Sequence, residues 1–209
     1  MTNTLHRQGS AEDLQKDFVV FALPKVDMFP LEELIEKLQT FSEICLRHHP
    51  INMGKLNGLS LSRIDPTRIH DEMKDNIGLT ATFDNIDSIA ALIADLKKAD
   101  LGISVNISGL LKATDSCCSK AEMKRHSVEQ SLGIFGNRER LPPREIVEIN
   151  TLCGHGLVSF NLIRKVMEEV KLERMTPEQG ALQLAKPCEC GVFNIHRARE
   201  VLEKLRLLG

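Results

Sequence analysis

Tryptophan and tyrosine are absent from this chain, and its eight phenylalanines are the only aromatic residues besides histidine. The aromatic platforms on which single-stranded nucleic acids usually stack are therefore scarce. The formal net charge is only −2, which also argues against a polyanion as the main partner. We therefore predict that the protein does not bind nucleic acid.

Long hydrophobic runs are also lacking. No apolar segment approaches the roughly 18 residues that a transmembrane helix needs. Residues 1–16 form a polar lead without the apolar stretch of a signal peptide. We therefore expect no membrane association and a cytoplasmic location, where thiols stay reduced. Six cysteines in such a compartment favour metal or redox chemistry over a disulfide framework.

The common catalytic motifs are missing as well. The chain contains no P-loop, no G-x-S-x-G, no H-E-x-x-H and no EF-hand pattern. The segment from Gly154 to Ser159 resembles the start of a dinucleotide-binding fingerprint, but its third glycine is missing. The sequence therefore leaves open whether the protein is an enzyme, with an oxidoreductase or a component of a redox complex as the options.

The hydrophobic pattern of the first 110 residues predicts alternating strands and helices. Asp17–Leu23 is a continuous apolar run typical of a buried strand, and a helix with one apolar stripe begins after Pro30. The further predicted elements are a short strand at Leu59–Ile64, a strand at Gly78–Asp84, a helix at Ile86–Leu96 and a strand at Ile103–Ile107. This order predicts an α/β (α+β) two-layer sandwich of the ferredoxin-like kind.

The strongest break in the chain lies between Gly133 and Pro143, where glycine, asparagine and proline are concentrated. We therefore divide the chain into the sandwich at residues 17–140 and a cysteine-containing, mainly helical lobe at residues 141–209. In this lobe we predict a short strand at Ile146–Ile149. Helices follow at Leu157–Val170, after Thr176 with its capping box, and after Asn194.

The candidate chemistry is concentrated between Leu152 and Ile195. Cys153 and His155 lie in one glycine-containing loop, and Cys188 and Cys190 lie in another. In an extended backbone, side chains two residues apart point to the same side, so each pair can converge on one point. Each loop precedes a predicted helix, whose N-terminus makes a thiolate easier to form.

Two ligand sets follow from these loops. Cys117 and Cys118 come after a predicted strand and are followed by a predicted helical stretch that extends to about Leu132. We expect one of the two cysteines to be a further ligand while the other packs. The candidate cofactor ligands are Cys117, Cys118, Cys153, Cys188 and Cys190; the candidate metal ligands are Cys153, Cys188, Cys190 and His155. A set with one imidazole satisfies zinc, whereas four thiolates satisfy a [4Fe–4S] cluster. The cluster is slightly favoured because thiols outnumber usable histidines.

Three functional hypotheses result. The first is an iron–sulfur protein for electron transfer or redox sensing, with a redox partner protein or a small ligand. The second is a non-enzymatic binding or regulatory module stabilised by zinc. The third is a thiol–disulfide oxidoreductase with Cys188 and Cys190 as the redox pair and Cys153 as the resolving thiol. Two other residues are predicted to lie outside the site: Cys45 on a buried helical stripe, and His196 in solvent.

Overall fold

The described residues form one five-stranded sheet with helices on both faces. A computed structural model describes residues 7–25, 27–56, 59–62, 65, 68, 72, 74 and 78–207. The strands are β1 (Phe18–Leu23), β2 (Asn52–Lys55), β3 (Leu59–Ser60), β4 (Leu79–Phe83) and β5 (Ser104–Ser108). The helices are α1 (Ala11–Leu14), α2 (Leu31–Arg47), α3 (Ile86–Ala99), α4 (Leu111–Lys120), α5 (Arg144–Thr151), α6 (Phe160–Lys171), α7 (Pro177–Ala185) and α8 (Ile195–Leu207).

The strand order is β3-β2-β4-β1-β5, and all neighbouring strands are antiparallel. In this register Val20 of β1 lies beside Ala81 of β4 and Ile107 of β5. With the two-residue β3 set aside, the strands and helices α2 and α3 follow the order β-α-β-β-α-β. The predicted α+β sandwich with a mainly helical C-terminal region is therefore confirmed.

Strand β1 contributes to two separate cores, because successive side chains of a strand point to opposite faces. Phe18, Val20 and Ala22 pack in the core with α2 and α3. Val19 and Phe21 pack in the core formed by the segment from α5 to α8. Helices α5 to α8, with the cysteine-containing loops between them, therefore lie directly on the second face of the sheet. The division of the chain at residue 140 stays a prediction.

Three predicted elements differ from the structure. Residues 146–149 belong to helix α5 and do not form a strand, because a short buried apolar run fits either element. The helix predicted to extend from the paired cysteines to about Leu132 ends at Lys120, and Glu122 then adopts a left-handed φ of 52°. Of the strand predicted at 59–64, only Leu59–Ser60 is observed, and Ile64 lies outside the described residues.

The described part of the polar lead, residues 7–16, packs against the C-terminal helices. Ser10 and Asp13 form a capping box that starts the short helix α1. The backbone N–H of Gln8 donates to Thr151 Oγ1 at 3.0 Å, which joins the lead to the end of α5. Among the residues described, no helix combines the length and the apolar character needed to cross a membrane.

Candidate functional site

Three of the predicted ligands come together beneath the surface of the C-terminal region. Cys153 follows α5, while Cys188 and Cys190 lie in the loop between α7 and α8; their exposed fractions are 0%, 0% and 3%. The thiol of Cys153 is hydrogen-bonded to that of Cys188, and Cys188 is hydrogen-bonded to Cys190. His155, which is exposed, places its Nδ1 atom 3.6 Å from Cys190 Sγ. We call these four residues the thiol site.

Backbone N–H groups point at each of the three sulfur atoms. The N–H groups of His155 and Leu157 donate to the sulfur of Cys153. Phe193 donates in the same way to Cys188, and Val192 donates to Cys190. A hydrogen bond to the charged form of a group favours that form, so this arrangement stabilises thiolates.

Among the three cysteines of the thiol site, only Cys190 has a lowered pKa. The hydrogen bond from Cys188, together with the N–H of Val192, lowers the pKa of Cys190 although burial opposes this shift. At Cys188 the hydrogen bond from Cys153 lowers the pKa, but donation to Cys190 and burial outweigh it and raise the value to about 11. Donation to Cys188 and burial raise the pKa of Cys153 well above its ordinary value. Cys190, the sulfur beside His155, is therefore the first of the three to ionise.

The loop that carries Cys188 and Cys190 is fastened to the sheet through its carbonyl groups. Thr80 and Thr82 of β4 donate their hydroxyls to the carbonyls of Cys190 and Gly191, the second of these bonds measuring 3.0 Å. One strand further along, Asn52 Nδ2 donates to the carbonyl of Phe193 at 3.0 Å. These three side chains lie on one face of the sheet, so the sheet itself sets the position of the loop.

Gly191 allows the loop to approach this closely. Its φ of +73° is left-handed, and a Cβ atom built there would lie 2.3 Å from the carbonyl carbon of Met53. No side chain fits between these two backbones, so glycine is required at this position. The glycine of the Cys-Glu-Cys-Gly segment is therefore part of the site, although sequence analysis gave it only a general loop role.

The structure does not bring Cys117 and Cys118 to the thiol site. Both lie within helix α4 and not in a loop, and Cys117 is fully buried in the core on the opposite face of the sheet. The thiol of Cys117 donates to the carbonyl of Ile86 at 3.6 Å. Because the sheet separates the two cores, a shared site with Cys153 is not supported, and we leave both residues out of the proposed ligand set.

Cys45 and His196 are the two residues that we placed outside the site. Cys45 is fully buried on the apolar stripe of α2, and burial raises the pKa of its thiol. His196 is half-exposed, but its Nδ1 atom lies 2.6 Å from Asp84 Oδ2, so it has a carboxylate partner that sequence analysis did not identify. Asp84 comes directly after β4, and this carboxylate at the end of a strand was the sequence feature that could have indicated a partner for His196.

Within the described part of the chain, no three histidine, cysteine, aspartate or glutamate side chains are grouped so as to hold a metal ion. The hydrogen bonds of the thiol site form a chain from Cys153 to Cys188, from Cys188 to Cys190, and from Cys190 to His155. Such a chain is expected when the thiols are protonated and share hydrogen bonds. Its donor atoms nevertheless form a chemically suitable set, because three cysteines and one histidine are a known combination for zinc. For a cluster with four thiolate ligands the thiol site supplies three.

Comparisons with protein-family models, curated proteins and solved structures found no match for this chain.

Proposed function

We propose that Cys153, Cys188 and Cys190 bind a metal ion as thiolates and that His155 provides the fourth ligand. The observation that carries the proposal is the convergence of three buried sulfur atoms from two loops, each sulfur receiving a backbone N–H. Thiolates buried in an apolar core are costly unless a positive charge compensates them. A bound cation would supply that charge.

Zinc fits this donor set best. The sequence-based preference for an iron–sulfur cluster depended on Cys117 or Cys118 as a fourth thiolate, and Cys117 lies across the sheet. Three thiolates and one imidazole form a closed tetrahedral zinc site, which stabilises a fold. The protein would then be a non-enzymatic binding or regulatory module in which zinc fixes the loop after α5 to the loop before α8.

Metal analysis of the protein purified without oxygen tests the proposal. We expect stoichiometric zinc in the wild type, and loss of zinc in Cys153→Ser, Cys188→Ser and Cys190→Ser. Cys118→Ser is the matched control, because this cysteine is only partly buried and lies outside the thiol site. Iron with acid-labile sulfide and a brown colour would assign the same ligands to an iron–sulfur cluster. A wild type without metal, or metal that survives all three substitutions, would refute the proposal.

Thiol–disulfide exchange is a second candidate, favoured by the direct contact between Cys188 and Cys190 and by the lowered pKa of Cys190. In this reaction the Cys190 thiolate attacks a substrate disulfide and releases one of its sulfurs as a thiol. Cys188 then attacks the mixed disulfide, so that a Cys188–Cys190 disulfide forms and the substrate leaves as a dithiol. Mass spectrometry of metal-free protein in a thiol–disulfide redox buffer would detect this bond, and its absence under oxidising conditions would exclude the reaction.

A further inference from the structure

Four buried charged side chains join the start of the chain to the C-terminal region. Arg197 lies 2.6 Å from Asp17 and 2.5 Å from Glu148, and Arg7 lies 2.8 Å from Asp17. The exposed fractions of these side chains are between 0% and 8%. We call them the buried ion network. Two positive and two negative charges balance, so each of them depends on its partners.

The buried ion network also reaches the loop before α8. Asn194 Nδ2 donates to Asp17 Oδ1 at 3.0 Å, and Asn194 Oδ1 caps α8 by accepting the N–H of Arg197 at 2.9 Å. Arg7 makes the contact nearest to the thiol site: its Nη2 atom donates to the carbonyl of Val192 at 2.5 Å. This carbonyl belongs to the peptide unit between Val192 and Phe193, and the N–H of that unit, which is the N–H of Phe193, donates to the sulfur of Cys188. One peptide unit thus connects a buried arginine to a candidate ligand.

We propose that Arg7 is a positioning residue of the thiol site, which holds the peptide unit between Val192 and Phe193 so that the N–H of Phe193 points at Cys188. This inference rests on the proposed metal centre as far as metal binding is concerned. The planar guanidinium reaches Asp17 with Nη1 and Val192 with Nη2 at the same time. A lysine side chain has no such fork, so it can keep the charge beside Asp17 without holding Val192.

This difference gives the test its key variant. Arg7→Lys keeps the charge balance of the buried ion network and removes the second hydrogen bond, whereas Arg7→Met removes both. Lys16→Met is the matched control, because Lys16 belongs to the same segment but pairs with Glu200 in solvent, at 3.2 Å. With Co²⁺ as the probe metal, we expect Arg7→Lys to bind about tenfold more weakly, the effect of losing one charge-assisted hydrogen bond. The sulfur-to-cobalt absorption band should change as well, and Lys16→Met should match the wild type in both respects.

Hydrogen exchange of the metal-free protein separates this inference from the proposed function. We expect the Phe193 amide to exchange about tenfold faster in Arg7→Lys, again the effect of one charge-assisted hydrogen bond, while the Val20 amide of β1 keeps its wild-type rate. If the wild type binds no metal but Phe193 exchange accelerates, the positioning role of Arg7 stands and the metal centre fails. If cobalt binding, the absorption band and Phe193 exchange are all unchanged in Arg7→Lys, the positioning role is refuted whether or not the protein binds metal.

Discussion

Replacing Gly191 by alanine should unfold the thiol site far more than the same change at Gly156. Both glycines have left-handed backbones, with φ of +73° and +70°, and both lie in loops that carry a candidate ligand. Their surroundings differ, because a Cβ atom at Gly191 would lie 2.3 Å from Met53 and 2.5 Å from Gly54, whereas a Cβ at Gly156 meets nothing within 4 Å. The pair therefore separates backbone strain from the close approach of loop and sheet.

The expected magnitudes follow from these contacts. A non-glycine residue in the left-handed region costs about 1–2 kcal/mol, which applies to both variants. The alanine at residue 191 must also move the loop away from β2, so the hydrogen bonds from Thr80 and Thr82 are lost. Each such bond contributes about 1 kcal/mol, and its buried donor is left without a partner. We therefore expect a loss of about 1–2 kcal/mol for Gly156→Ala and of about 4 kcal/mol for Gly191→Ala.

Urea unfolding of the reduced, metal-free proteins, followed by circular dichroism, measures both values. Metal content provides a second readout, which we expect to fall only in Gly191→Ala. Equal destabilisation by the two substitutions would show that loop 188–194 does not depend on its contact with β2. The proposed role of the sheet in positioning Cys188 and Cys190 would then be wrong.

Two further predictions concern residues outside the thiol site. Cys45→Ser should lower the free energy of unfolding by about 1–3 kcal/mol, because it puts a hydroxyl into the core beside α2; metal content should stay at the wild-type level, and its loss would place the site near Cys45 instead. The hydrogen bond from Ser10 lowers the pKa of Asp13 from 3.8 to about 2, so the ionised carboxylate stabilises the folded protein above its unfolded-state pKa. The stability difference between wild type and Asp13→Asn should therefore be present at neutral pH and disappear as the pH falls through about 2. If urea unfolding showed a stability difference between wild type and Asp13→Asn that did not change with pH, this prediction would be contradicted.

The sandwich was predictable because its elements carry strong local patterns. The apolar run before Pro24, the helical stripe after Pro30 and the capping box at Thr176 each identify an element from a few neighbouring residues. The weaker patterns failed, since the short segment at 146–149, with three apolar residues around Glu148, fits a strand or a buried helix.

The candidate site was predictable only in part. The convergence of Cys188 with Cys190 follows from their spacing, and their glycine-containing loop was visible in the sequence. The position of Cys117 could not be predicted, because no local sequence pattern indicates on which face of the sheet a helix packs. The buried ion network was not predictable for a similar reason: in the sequence, Arg197 is one of several basic residues of the last helix, and such residues usually face solvent. The burial of Arg197 could have been inferred from its position on α8, because it shares a helix face with Val201, four residues later, which is also buried.

The partners of the buried ion network emerge from the ribosome at very different times. Arg7 and the Val192 carbonyl are separated by 185 positions, and Asp17 and Arg197 by 180. At translation rates of about 5–20 residues per second, Arg7 waits about 10–40 s for its partner. During this interval both early charges stay hydrated, while β1 can already pair with β4 and β5. The contacts that link residues 7–17 to the thiol site therefore form only after the loop before α8 has been synthesised, and until then Val19 and Phe21 of β1 lack their partners in the second core.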